Sequence, residues 1–103
     1  MIKVTVMYPN TADGRFDFDY WAKTHFPLVG RELGEALKGA AADRGLGGPA
    51  PGSPATYVAI AHLLFDSVEA FQAAFAQHGA AIMGDLPNYT NLTPIIQISE
   101  VLL

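Results

Sequence analysis

The sequence predicts an α+β domain of the ferredoxin-like kind, a four-stranded antiparallel sheet with strands and helices in the order βαββαβ. Three features lead there. The chain opens on the alternation IKVTVMY at 2–8 and closes on TPIIQISEVLL, which is apolar on both sides. Two segments, 16–37 and 68–82, repeat apolar residues at helical spacing. Between them lies YVAIAHLLF at 57–65, apolar at nearly every position. At 103 residues these elements make one domain, 1–103.

In the opening strand Ile2, Val4, Val6 and Tyr8 form one apolar face, and Lys3, Thr5 and Met7 a mixed one. The turn PNTADG ends it. Phe16 stands just outside the N-cap Asp17, and Trp21 falls at the fourth helical position, the spacing of a hydrophobic staple. The first helix starts there and meets Pro27, which removes a backbone donor, crowds the carbonyl of Lys23 and pushes Phe26 out of the α region. A bend or stop within a residue or two of Pro27 is expected. Beyond it Arg31 and Glu35 share a polar face and Val29, Leu33 and Leu37 an apolar one, so the helix resumes. The segment GAAADRGLGGPAPGSPA, 39–55, reads as a weak strand followed by a long flexible loop, Gly45 to Ala55, without apolar anchors.

The run at 57–65 reads as a strand covered on both faces. Asp66, three residues before Glu69, has the pattern of a capping box, and Val68, Phe71, Phe75, His78 and Ile82 recur at helical spacing after it. Gly79 and Gly84 are candidate stops or kinks, and DLPNYTN is a loop. In the last strand Ile96, Ile98 and Leu102 share one face, with Ile95 and Val101 on the other. Two helices cover one face of such a sheet only. The other also carries apolar residues, which predicts a homodimer that packs sheet on sheet.

Composition points the same way. A domain of this length buries about two-thirds of its unfolded surface. Half of its residues are apolar and only 16% charged, a lean solvated surface that suits a covered face. The net charge of −4, with six basic residues scattered along the chain, offers no stripe for phosphates, so neither nucleic acid nor an anionic membrane is an expected partner. The absence of cysteine removes disulfides, thiolate metal sites and cysteine nucleophiles, and makes a reducing cytoplasm the simplest location. The opening MIKVTVMYPN has too short an apolar run for a secretion signal, so the acceptor triplets NYT at 88 and NLT at 91 read as accidental.

Several stretches resemble the EthD family, named for its association with ethyl tert-butyl ether degradation, within the dimeric α+β barrel superfamily: IKVTVMYPN, FDFDYWAKTHFPLV, YVAIAHLLFDSVEAFQAAF and GDLPNYTNLTPIIQISEV. The elements THFP (Thr24–Pro27) and PNYTN (Pro87–Asn91) are the more specific of these. GAAADRGLGG is plainer than the family's second strand and leaves that strand's length open. The resemblance implies a homodimeric barrel with an apolar pocket in each subunit, in a family without one settled reaction.

The candidate residues follow. His25 lies on the helix face of Phe18, Trp21, Ala22 and Val29, where an imidazole can act as general acid or base at the end of an apolar cavity, or sit in the core bonded to a carbonyl. His62 shares a strand face with Val58, Ile60 and Leu64 and reads as a polar group toward the pocket or the dimer seam, or as a packed structural residue. His78 beside Gly79 suits the C-terminal end of the second helix, or a binding role. Tyr8, Tyr20 and Tyr89 can each donate a hydroxyl into a pocket walled by Trp21. The histidines have no metal-pair spacing and no carboxylate completes a triad, so no metal is expected.

GLGG at 45–48 lacks the spacing of a dinucleotide fingerprint, and no cofactor is expected. YVAIAHLLF lacks the basic and glycine positions of an RNA-recognition strand. The leading expectation is a protein of small-molecule catabolism or secondary metabolism that binds a small apolar or aromatic compound. Its open chemistry is cofactor-free oxygenation, dehydration or isomerisation through His25. The alternative is a non-catalytic binder or carrier of an apolar metabolite for a partner oxidoreductase.

Overall fold

The computed structural model describes residues 1–103. Four strands, β1 (Ile2–Pro9), β2 (Gly39–Arg44), β3 (Tyr57–Phe65) and β4 (Ile95–Glu100), form one sheet in the order β2-β3-β1-β4. Every pairing is antiparallel, with Val4 opposite both Leu63 on β3 and Ile98 on β4. The helices are α1 (Phe18–Tyr20), α2 (Phe26–Leu33) and α3 (Val68–Gly84), and a π-helical turn, Trp21–His25, joins the first two into one continuous stretch. This is the α+β ferredoxin-like arrangement.

The alternation of β1 decides what faces the helices. Ile2, Val4 and Tyr8 are buried there, as are Ala59, Ala61, Leu63 and Phe65 of β3, and Val29, Leu33 and Ile82 close the core from the helical side. β3 is therefore buried on one face only. Its other residues, Val58, Ile60, His62 and Leu64, are half-buried on the outer face, which the helices of this chain do not cover. β4 lies at the sheet edge, where Ile96 and Ile98 share the helix-side face of Val6 and Val4 and Ile95 the outer one, and all three remain substantially exposed.

Asp17 caps α1, its carboxylate accepting from Tyr20 N–H at 3.1 Å, and Phe16 packs edge-on against Trp21 at 5.1 Å, as the staple requires. The break at Pro27 does not occur. The N–H of Phe26 reaches five residues back to the Trp21 carbonyl, and Phe26 keeps α dihedrals (φ −60°, ψ −44°). A wide turn of this kind passes over the place where proline has no N–H to give and relieves its ring against the preceding turn. The extra residue also rotates the face: Trp21, His25 and Val29 are buried, whereas Ala22 is exposed.

The helix ends at Leu33, short of Leu37, because Gly34 adopts φ 56°, ψ −133° and a 3-10 turn follows. Leu37 reaches the core from an extended position. On α3 the cap is Ser67, whose hydroxyl accepts from Ala70 N–H at 3.1 Å, so Asp66 and Glu69 form no capping box. Gly79 neither stops nor kinks this helix, which continues to Gly84; it is buried where a Cβ would press on the Phe75 ring. The β2–β3 connection carries an exposed Leu46 but is held by Gly45 N–H to the Val58 carbonyl (2.8 Å), Gly48 N–H to the Ser53 carbonyl (3.0 Å) and the Asn10 amide to the Ala55 carbonyl (2.9 Å). Hydrogen bonds rather than apolar contacts anchor the loop.

Gly34 occupies a backbone region that side chains resist, and nothing lies within 4 Å of where its Cβ would stand. Gly34→Ala should therefore destabilise by about 1–3 kcal/mol through backbone strain alone, lowering the melting temperature by several degrees. A thermal melt unchanged from the parent would show that the turn relaxes freely.

Candidate functional site

Between the sheet and the helices lies a cavity of about 70 Å³. On its sheet side β3 supplies little side chain: Ala61 stands opposite Val6, faces the helices and lines the cavity. Trp21, Phe26 and Val29 wall it on one side and Phe71, Phe75 and Ile82 on another. Met83 and Ile96, both substantially exposed, mark its opening toward the β4 edge. Among the lining residues His25 is joined by Tyr8 and Trp21 as bearers of polar side-chain atoms, and none is Asp, Glu, Lys or Arg.

His25 is 4% exposed and belongs to a chain of hydrogen bonds that leads from the cavity wall to the surface. Its Nδ1 lies 2.9 Å from Asp85 Oδ2 and its Nε2 3.3 Å from the Tyr89 hydroxyl. Tyr89 in turn lies 2.8 Å from the Tyr8 hydroxyl. On the other side Tyr20 Oη–H donates to Asp85 Oδ1 at 2.7 Å, and Asn88 Nδ2–H donates to the same oxygen at 2.9 Å. A carboxylate only accepts, so the neutral His25 holds its proton on Nδ1 and presents the Nε2 lone pair to the Tyr89 hydroxyl.

Burial drives the His25 imidazole below its ordinary value, outweighing the upward pull of Asp85. Burial also pushes the Asp85 carboxyl upward, but hydrogen bonds from His25, Asn88 and Tyr20 together hold it below its ordinary range. Tyr8 and Tyr89 are raised by burial, so both hydroxyls keep their protons near neutral pH. The resting state is thus a neutral imidazole beside a carboxylate, ready to accept a proton and hold the resulting cation as an ion pair.

The fold brings His25, Trp21, Tyr8, Tyr89 and Tyr20 together, the first three on the cavity wall and the last two through the hydrogen-bond chain. His62 is elsewhere. It sits on the outer sheet face with Nε2 2.9 Å from Asp43 Oδ2 and a buried Nδ1 that has no partner, on the side of the sheet away from the pocket. His78 is interior to α3, not at its C-terminus, and its Nδ1 meets Glu32 Oε2 at 3.1 Å, linking α3 to α2.

Asp85 is the member that sequence reading missed. A carboxylate just past the C-terminus of a long helix opposes the helix dipole, and that misfit was its signal. The PNYTN element holds Tyr89 in place: Thr90 Oγ1–H donates to the Arg15 carbonyl at 2.7 Å, and the Asn91 amide bonds both Arg15 N–H and the Asp13 carbonyl.

A four-stranded antiparallel sheet with its helices on one face defines a small α+β protein of the ferredoxin-like class. The family model for the EthD domain matches residues 11–93. The chain belongs to the EthD family. The crystal structure of an EthD-like protein from Ralstonia eutropha JMP134 is similar at 46% identity and a TM-score of 0.95, over 99% of this chain and 92% of that one. An ethyl tert-butyl ether degradation family protein from Bacillus halodurans C-125 shares the fold at 20% identity and a TM-score of 0.76, over 99% of both chains. HapK from Hahella chejuensis shares it at 12% identity and 0.61, over 99% and 93%. No curated protein matches the sequence.

The depressed His25 value sets the direction of acid sensitivity. The unfolded chain protonates this imidazole near its ordinary value of 6.5, whereas the folded chain does so only at lower pH. The unfolded state then binds more protons, so stability should be flat above about pH 6.5 and fall as the pH drops below it. Asp85 adds a further loss below its ordinary 3.8. Asp85→Asn removes the group that raises His25, so an NMR titration should find the His25 midpoint below 6.5 in the parent and lower still in the variant. A higher midpoint in Asp85→Asn would overturn the assignment of charges.

Proposed function

We propose that the protein acts on a small apolar, oxygenated or aromatic molecule held in the cavity, with His25 as the general acid or base. The observation that carries this reading is a neutral, buried imidazole, backed by a carboxylate, on the wall of a cavity without any charged side chain. Asp85 fixes the ring and its tautomer and stabilises the imidazolium that proton transfer creates. Dehydration, isomerisation and oxygenation of an activated substrate all begin with such a transfer. The 46% identity to the R. eutropha EthD-like protein supports the EthD setting of this reading. The cysteine-free composition fits a reducing cytoplasm.

The working unit on this reading is a homodimer in which two sheets meet on their outer faces to form a dimeric α+β barrel. Met7, Ile60, Leu64 and the exposed Ile95 supply apolar surface there, alongside the His62–Asp43 pair. The second reading, a non-catalytic carrier for a partner oxidoreductase, draws on a specific observation: both His25 nitrogens already have partners within the chain.

His25→Gln separates the two. Gln keeps polarity and reach but cannot exchange a proton near neutral pH, so an enzyme should lose at least about a hundredfold in turnover while the protein stays folded at a loss of about 1–3 kcal/mol. A folded variant with full activity would exclude the acid–base role, and a carrier would show ligand binding without turnover in parent and variant alike. Sedimentation at micromolar concentration should give a dimer burying about 1,600 Å² or more. A folded monomer under those conditions would exclude the barrel.

A further inference from the structure

The two nitrogens of His25 are unequally satisfied. Nδ1 has a carboxylate at 2.9 Å, while Nε2 has the Tyr89 hydroxyl at 3.3 Å, longer than an ordinary hydrogen bond. Tyr89 is better engaged with Tyr8, at 2.8 Å. With the proton committed to Nδ1, Nε2 is an acceptor with a poor donor, beside a cavity whose wall holds no Lys or Arg to balance an anion. The complement of such an acceptor is a neutral donor. At about 70 Å³ the enclosed space is roughly half that of an engineered void of about 150 Å³ that holds benzene. A single ring is therefore not swallowed whole: it enters with its polar end inward and its far edge projecting through the opening between Met83 and Ile96.

We propose that the cavity selects an uncharged, single-ring-sized molecule carrying one weakly acidic hydroxyl, a phenol or an enol, whose O–H donates to Nε2 of His25. This rests on the cavity reading above and narrows its ligand. In the transfer that follows, the ligand O–H bond breaks, the proton bonds to Nε2 and the electron pair stays on oxygen. The imidazolium then faces the Asp85 carboxylate, and the Tyr89 hydroxyl beside Nε2 is a donor for the oxyanion. An ether or a hydrocarbon of the same shape offers Nε2 nothing, and a carboxylate brings an unbalanced charge.

The test uses the full-length protein with three probes: phenol, anisole (its methyl ether) and benzoate. Binding is followed by calorimetry and by NMR shifts of the cavity-wall residues and the His25 ring nitrogens. Phenol should bind at least about tenfold more tightly than anisole, the size of effect that one buried hydrogen bond supplies, and should move the Nε2 resonance; benzoate should bind more weakly than either. In His25→Phe, which keeps the ring and removes the acceptor, the preference for phenol should vanish. Should that variant fail to fold, the ratio measured on the parent protein decides alone. Equal binding of phenol and anisole, or tighter binding of benzoate, would overturn the donor requirement and leave the apolar cavity standing as a site. No shift at the cavity wall with any probe would overturn both.

Discussion

The hydrogen bond from His25 to Asp85 joins the two helical segments at the place where the cavity begins, and much of the architecture serves it. His25 closes the π-helical turn that precedes α2, while Asp85 follows the last residue of α3, so the bond ties together parts of the chain that are 60 residues apart. Asp85 sits against the negative end of the α3 dipole, an unfavourable place for a carboxylate. It is stable there because His25, Tyr20 and Asn88 all donate to it. Neither group is well placed alone: a buried imidazole would lack an orienting partner, and an unpaired carboxylate at that helix end would be poorly satisfied. Together they make a polar anchor in an apolar setting.

Around that anchor the packing is deliberately uneven. Near Ile2, Val4, Leu63 and Phe65 the sheet and helices meet in an ordinary aliphatic core. Toward the other end of β1 the strand residues shrink to Ala59 and Ala61, and the helical side presents large aromatics instead. Trp21 is held edge-on by Tyr8, Phe16 and Phe26 at centroid distances of 5.1–6.0 Å, so it cannot fall into the gap that the alanines leave. Small residues on the strand and locked rings on the helix produce a cavity that persists, since collapse would need the aromatic cluster to give up its edge-to-face contacts.

The π-helical turn connects this packing to the chemistry. A regular α-helix through Pro27 would lose a hydrogen bond and clash with the Lys23 carbonyl, and a broken one would leave polar backbone against the cavity wall. The wider turn avoids both while keeping Trp21 and His25 on the buried side. Proline here shapes the helix without ending it. The same economy holds on the Tyr89 side, where short side chains of Thr90 and Asn91 bond to the backbone of residues 13–15 and fix a loop that would otherwise have no regular structure.

The order of the six elements, the inward residues of β1, the staple of Phe16 on Trp21 and the placing of His25 beside Trp21 were legible because each depends on local periodicity or capping, which neighbours in sequence largely determine. The strand at 57–65 was legible in its bounds, while which of its two apolar faces meets the helices was settled by packing. His78 was misplaced because a glycine beside it suggests a helix end, whereas close packing at Gly79 lets the helix run on to Gly84. Asp85 could not be paired with His25 from sequence, since a hydrogen bond across 60 residues has no periodic trace. The sequence by itself therefore determined the fold and named His25, Trp21, Tyr8, Tyr20 and Tyr89 as candidates without saying how they join. The tertiary structure decided the rest, the carboxylate partner, the tyrosine chain and the cavity, because these arise only where distant elements converge on a common volume.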